Sequence, residues 1–339
     1  MRNLITDVEG LRVGNAEHTR IASGTTVILA DAPVVAAATV MGGGPGTRER
    51  DAIGLEGTVG AADAIVLSGG SAFGLDAASG VQTWLRENGR GFQVGPVRVP
   101  IVPQAILFDL INGGNKDWGR EAPYRELGFK AAEAAGGDFA LGSAGAGYGA
   151  TVARGAGLSM RGGLGSASER LTFGGEAVVV GALAAVNAAG AVTVADTAHF
   201  WAAPYEHGAE FGGLGLPHPI PPEAARPVLK YGALAGANTT LCVVATDAPL
   251  TQTQAKRVAT MAAAGMARAI HPVFSPLDGD IVFALATARA VLSDRDTALP
   301  YIGAAAANCL ARAIARGVHA ASSSLPDGTQ SYRNLFASA

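Results

Sequence analysis

Cysteine is almost missing from this chain: two among 339 residues, Cys242 in an apolar strand-like run and Cys309 in a helical pattern. That excludes a disulfide framework, and both read as buried free thiols. Neither has a His or Cys at ligand spacing, and none of the six histidines pairs with another at i, i+4 on a helix. Zinc chemistry therefore has no scaffold, and no metal or organic cofactor is expected. Charge is also scarce, at 16% of residues with a formal net charge of −3, and Lys and Arg are scattered. The basic footprint of a nucleic-acid partner is absent. Long apolar runs are missing too, because Gly, Asn or Asp interrupts each before it spans a bilayer, and the N-terminus carries no signal-peptide pattern. A cytoplasmic protein with no membrane partner is expected.

What the chain has is glycine, 47 residues of it, within a 49% hydrophobic composition. Such an interior is built from close backbone approaches as much as from bulky side chains. Strand-like runs fall at Thr25 to Ala30, Val34 to Val40, Ala64 to Ser68, Ala177 to Ala184, Gly190 to Ala195, Leu241 to Thr246 and Ile281 to Ala286. Helical spacing covers 71 to 88, 121 to 136, 222 to 235, 251 to 270 and 297 to 316. A sheet covered by helices is predicted, α/β in class. From about His199 to Pro227 the chain collects Pro, Gly and aromatics without a period, which reads as a long exposed excursion. It leads to a small-residue turn ending at Asn238, a boundary between two segments of one domain.

Glycine clusters at 41 to 49, 67 to 80, 142 to 150 and 161 to 168 are the most visible motifs. Gly145, Gly147 and Ala150 match the G-x-G-x-x-A spacing of a dinucleotide loop, but the run that follows is too interrupted by glycine to be the required helix. Tight turns and a backbone packed close to a cleft are the plainer reading. Gly-x-Ser-x-Gly is absent, so the nucleophile elbow of the serine hydrolases is not present.

The stretch GANTTLCVVATDA places Asn238, Thr239 and Thr240 at the head of an apolar strand. Two readings fit. The threonines are β-branched residues that open a strand; or the chain is cut before Thr239, whose freed amine then serves as base for its own hydroxyl. Downstream, SPLDGDIVFALAT sets Asp278 and Asp280 around Gly279 just before another strand. They make a solvated Asp-Gly turn or a hard-cation site, or they are paired carboxylates, one with a raised pKa, that orient a nucleophile. Asn187, between two strand-like runs, serves a turn or donates to an oxyanion.

The segments ITDVEGLRVGNAEH, GGGPGTRE, LSGGSAFGLDAASGV, VPIVPQAILFDL, GAGYGATV, RGGLGSAS, ANTTLCVVATDA and SPLDGDIVFALAT resemble, in order and over nearly the whole chain, the self-processing L-aminopeptidase/D-esterase family. That family also holds β-aminopeptidases and nylon-oligomer (6-aminohexanoate oligomer) hydrolases. The resemblance implies an αββα four-layer fold of the N-terminal-nucleophile-hydrolase type. It also implies self-cleavage between Asn238 and Thr239 into an α chain (1–238) and a β chain (239–339). Thr239 would be the nucleophile, Asn187 the oxyanion residue, and Asp278 and Asp280 the acidic pair beside it. Thr with Asp-Gly-Asp looks most like the nylon-oligomer branch, where a Lys stands at the position of Arg154; an Arg keeps the charge there but not easy proton exchange. The expected substrate is a short peptide, β-peptide or 6-aminohexanoate oligomer, and the expected assembly a homo-oligomer, a tetramer of processed pairs. An acyltransferase of the ornithine acetyltransferase type and an unprocessed small-molecule binding protein are the alternatives.

Overall fold

The structure, a computed structural model, describes residues 1–230, 238–322 and 324–337. In chain order the elements are β1 (Leu11–His18), β2 (Ser23–Val40), β3 (Thr47–Arg48), β4 (Ala61–Ser68), α1 (Ala77–Glu87), β5 (Phe92–Val94), β6 (Val97–Val99) and β7 (Gln104–Ile106). Then follow α2 (Tyr124–Glu133), β8 (Thr151–Arg154), β9 (Leu158–Arg161), β10 (Gly163–Phe173) and β11 (Glu176–Asn187). The last part holds β12 (Thr239–Thr246), α3 (Gln252–Ala269), β13 (Ile281–Ala286), α4 (Arg295–Ala320) and α5 (Tyr332–Leu335).

The two strand-like runs at 25–30 and 34–40 are one strand. β2 pairs β1 through its first half and β13 through its second, and its register with β4 shifts between Leu29 and Val34. Asp31, Ala32 and Pro33 are exposed at that irregularity, which bends the strand from one layer into the next. The core accordingly divides in three. Alternate residues of β11, β12 and β13 point opposite ways: Cys242, Val244, Val282 and Ala284 pack under α3 and α4, while Leu241, Val243, Ile281 and Phe283 face Ile28, Ile65 and Leu67. Val27, Leu29 and Val66 pack under α1 and α2. Three apolar interfaces require four layers, helix, sheet, sheet, helix, in agreement with the αββα expectation. The helix α4 is long and apolar enough to cross a membrane by composition, but 72% of that window is buried as a core helix.

Three sequence expectations are corrected. Residues 190–195 form no strand: the segment makes isolated bridges from Ala191 to His271 and from Thr193 to Phe200, and Ala195 turns the chain at positive φ. Within 222–235 the described residues hold only a short 3₁₀ turn, Pro222–Ala225, because Arg226 precedes Pro227 and is steered out of the helical region; 231–235 lie outside the described residues. The glycine-rich 161–168 is largely strand β10, packed so closely on α4 that a Cβ at Gly165 would meet the Ala313 carbonyl at 1.9 Å.

The excursion after His199 is tied down by charge. Glu210 accepts from Arg312 Nε at 2.6 Å and from Asn3 Nδ2 at 2.6 Å, and Arg316 lies 3.4 Å away. Arg312 and Glu210 are almost fully withdrawn from water. Removing one partner leaves the other buried and uncompensated. Glu210→Ala should therefore lower stability by about 3 kcal/mol, whereas the apolar pair Glu210→Leu with Arg312→Met should cost less, measured as urea midpoints. Equal losses in the two variants would contradict this.

Candidate active site

The ends of three neighbouring interior strands, β11, β12 and β13, meet at one end of the sheet. The antiparallel register of β11 on β12 sets Asn187, the last residue of β11, directly across from Thr239, the first of β12. The parallel partner β13 begins at Ile281 opposite Leu241, which brings Asp278, Gly279 and Asp280 to the other side of Thr239. Buried Leu, Val and Phe on both faces of these strands fix that register, since a slip by one residue would exchange the two cores.

Around Thr239 the contacts are short. Gly279 N donates to Thr239 Oγ1 at 3.1 Å, and the Thr239 hydroxyl lies in hydrogen-bond contact with the carbonyl oxygen of Asn238. Asp280 accepts from Thr240 N (2.8 Å) and Phe274 N (3.2 Å). Asp278 accepts from Ala189 N (3.0 Å) and the Ser275 hydroxyl (2.6 Å). One carboxylate thus clamps the head of β12 and the other clamps the chain just past Asn187. The glycine run 42–44 lies against this loop: Gly44 N donates to Asp278 O at 2.8 Å, and a Cβ on Gly42 would meet that same oxygen at 2.4 Å. Gly279 is equally constrained, its missing Cβ falling 2.8 Å from Thr239 Oγ1. Glycine here serves close backbone approach. The other candidate loop, Gly145–Gly147, is a 3₁₀ turn leading to strand β8, the wrong element for a pyrophosphate.

Asn187 is fully buried and its amide is saturated on one side. Its Oδ1 accepts from Thr151 N (2.9 Å) and from Lys230 Nζ (3.0 Å), while Nδ2 donates to Phe108 O (3.0 Å). Lys230 was not legible as a site residue. Its ammonium also donates to Thr151 O (2.6 Å), Thr151 Oγ1 (2.9 Å) and Asn187 O (3.3 Å). The only hint in the sequence is a lysine set in the apolar PVLKYG stretch, one of four in the chain. Arg154 lies in a different contact: its Nε holds Asp196 at 2.8 Å and its guanidinium sits 6.0 Å from the Phe336 ring centroid. The structure therefore gathers Thr239, Asn187, Asp278 and Asp280, with Asn238 ahead of them, and the cation on Asn187 comes from Lys230.

Burial dominates the electrostatics. It raises Asp278 against the opposing pull of the Ser275 hydroxyl, Ala189 N–H and Lys230, and it pushes Asp280 up to about 7 with the help of the Asp278 charge. Burial also lowers Lys230 to about 7, opposed by Asp278. Between the unfolded Asp pKa of about 4 and about 7 the folded chain keeps a proton on the Asp pair that the unfolded chain has lost, so stability falls as pH rises through that window. Asp280→Asn should flatten this slope, seen as urea midpoints of uncut protein at pH 5 and pH 7; an unchanged slope would show that the pair is ionised throughout.

Stacked sheets between helix layers, with a hydroxyl residue heading a core strand, define the class of N-terminal-nucleophile-hydrolase folds. The L-aminopeptidase D-Ala-esterase/amidase of Ochrobactrum anthropi, described as a variant of that fold, superposes with a TM-score of 0.70 at 22% identity, over 94% of this chain and 86% of that one. At the level of family, the pattern of peptidase family S58 matches residues 3–330, and the chain belongs to that family: it is an amide-bond hydrolase. An uncharacterised aminopeptidase of Mycobacterium tuberculosis (strain H37Rv) is 40% identical over 98% of both chains. A 6-aminohexanoate-oligomer endohydrolase of Kocuria sp. (strain KY2) is 28% identical over 83% of this chain and 74% of its own.

Proposed function

We propose that the chain cuts itself between Asn238 and Thr239, and that the freed Thr239 hydrolyses amides of short amine-terminated peptides, β-peptides or 6-aminohexanoate oligomers. The observation that carries this is the Thr239 hydroxyl lying against the carbonyl of its own preceding peptide, with Asn187 across the ladder. In the first step Oγ1 bonds to the Asn238 carbonyl carbon, the C–N bond breaks, and the Thr239 nitrogen leaves as an amine with a proton. Water then cleaves the ester, giving 1–238 and 239–339. In turnover the Thr239 amine takes the hydroxyl proton, Oγ1 attacks the substrate carbonyl, the leaving amine departs protonated, and water releases the acid. Asp278 and Asp280 hold the strand ends in place, and Arg154 would at most orient charge at the periphery.

Two features of the uncut chain support a maturation step. Thr239, Asn187, Asp278 and Asp280 are each at most 3% exposed, so no substrate reaches them before the strand head is freed. The Asn238 Oδ1 is buried with no hydrogen-bond partner, a cost of about 1–3 kcal/mol that separation of the ends would relieve. The relative named for 6-aminohexanoate oligomers supports that substrate class, and the aminopeptidase-named relative supports peptides with a free amine. The test is hydrolysis of β-peptides, D-amino-acid amides and 6-aminohexanoate oligomers by protein whose cleavage has been verified by mass. Processed protein that turns over none of them would refute the substrate assignment. Acyl release that requires an added amine acceptor would support the transferase reading instead.

A further inference from the structure

We propose that Lys230 is the positioning residue of this site: its buried ammonium locks the Asn187 side-chain amide in the orientation that presents Nδ2 to the carbonyl at Thr239. The inference rests on the reading that Thr239 attacks and Asn187 receives the oxyanion.

A side-chain amide can sit in either of two flipped orientations, and only its neighbours decide between them. Here they decide strongly. Oδ1 faces two obligatory donors, Thr151 N–H and the Lys230 ammonium, and Nδ2 faces an obligatory acceptor, Phe108 O. A flipped amide would set NH₂ against NH and NH₃⁺, and oxygen against oxygen. Without Lys230 the preference would rest on one backbone donor and one backbone acceptor. The ammonium adds a charge-assisted bond, and by drawing electron density to Oδ1 it makes the remaining Nδ2 hydrogen a better donor to a developing negative charge. Phe108 O uses one Nδ2 hydrogen, which leaves the other for that role.

The placement is costly in itself. A fully buried ammonium is tolerated only when its hydrogens are met, and here Thr151 O, Thr151 Oγ1, Asn187 O and Asn187 Oδ1 meet them. Burial lowers its affinity for the proton, against the attraction of Asp278. Moreover Lys230 belongs to the segment upstream of the cut, and its own backbone N–H is bonded to Ala189 O at 3.0 Å. Cleavage at Asn238 does not remove it from the chain that carries Asn187, so the same residue serves both the self-cleavage and the later turnover.

The test is a double-mutant cycle on self-cleavage and on turnover. Lys230→Met keeps the stem and removes the charge; it should slow self-cleavage and lower kcat by about 10- to 100-fold, with KM little changed. Asn187→Ala combined with Lys230→Met should be no slower than Asn187→Ala alone, because Lys230 acts only through that amide. Additive losses would reduce Lys230 to a packing residue and overturn the proposal, as would wild-type rates in Lys230→Met. If Lys230→Met does not accumulate as folded protein, Lys230→Gln, which retains a donor, goes through the same cycle with the same criteria. A wild-type chain that never cuts would instead refute the underlying nucleophile reading, a separate result.

Discussion

Thr239→Ala should leave the chain whole, with the mass of the full 33.9 kDa polypeptide, while the wild type separates into 1–238 and 239–339. The expected effect is complete because, among the described residues, no second hydroxyl is found on the Asn238 carbonyl. Thr240 is the next residue of the strand, and alternation turns its side chain to the opposite face from Thr239. Its Oγ1 is buried without a hydrogen-bond partner, while its backbone N–H donates to Asp280. Amide hydrolysis should vanish along with cleavage, since the variant has neither a hydroxyl to attack the substrate nor a freed amine to act as base. Thr239→Ser, which keeps the hydroxyl but loses the methyl that fixes its rotamer, should still cut, more slowly. Intact-mass spectrometry of the three proteins reads the outcome directly. A Thr239→Ala chain that still separates at 238/239 would transfer the chemistry to another group, and a wild type that stays intact would end the mechanism.

The sequence made some of this site legible because strand periodicity is short-range. Leu241 to Thr246 and Ile281 to Ala286 are uninterrupted apolar runs, so the residues just ahead of them, Thr239 and Asp280, could be placed at strand heads without knowing the topology. That β12 and β13 are parallel neighbours, which joins those heads, depends on a crossover through α3 and has no local signal. The bend that makes one strand of 23–40 also escaped, because Asp31 to Pro33 reads locally as a turn between two strands. Lys230 was invisible for a further reason. Nothing near it in sequence says that four acceptors from Thr151 and Asn187 wait in the core, and a lone lysine is ordinarily exposed. Arg154 drew attention by position in a motif, yet its side chain meets Asp196 and Phe336. Position in a motif fixes the backbone; which cation fills the interior depends on where a long stem can reach.

Asn187→Ala should reduce both self-cleavage and turnover by about a hundredfold or more, the usual consequence of deleting one oxyanion donor. The fold should survive it. Lys230 keeps Thr151 O, Thr151 Oγ1 and the Asn187 main-chain oxygen as acceptors, and the ladder from Asn187 to Thr239 is a backbone pairing that alanine can make. Asn187→Asp separates packing from chemistry more sharply. The carboxylate retains an oxygen for Thr151 N and Lys230, so the network on that side is preserved or strengthened, but the other oxygen replaces the Nδ2 donor and confronts Phe108 O and any negative charge forming on the scissile carbonyl oxygen. An anion where an anion must develop is worse than a void. The order of rates should therefore be wild type, then Ala, then Asp, even though Asp is the closer isostere, measured as the half-time of precursor disappearance after rapid refolding. Were Asn187→Asp to cut at the wild-type rate, the side chain would be a structural pin for β8 and the segment at Phe108, and the oxyanion would have to be held by backbone N–H groups alone.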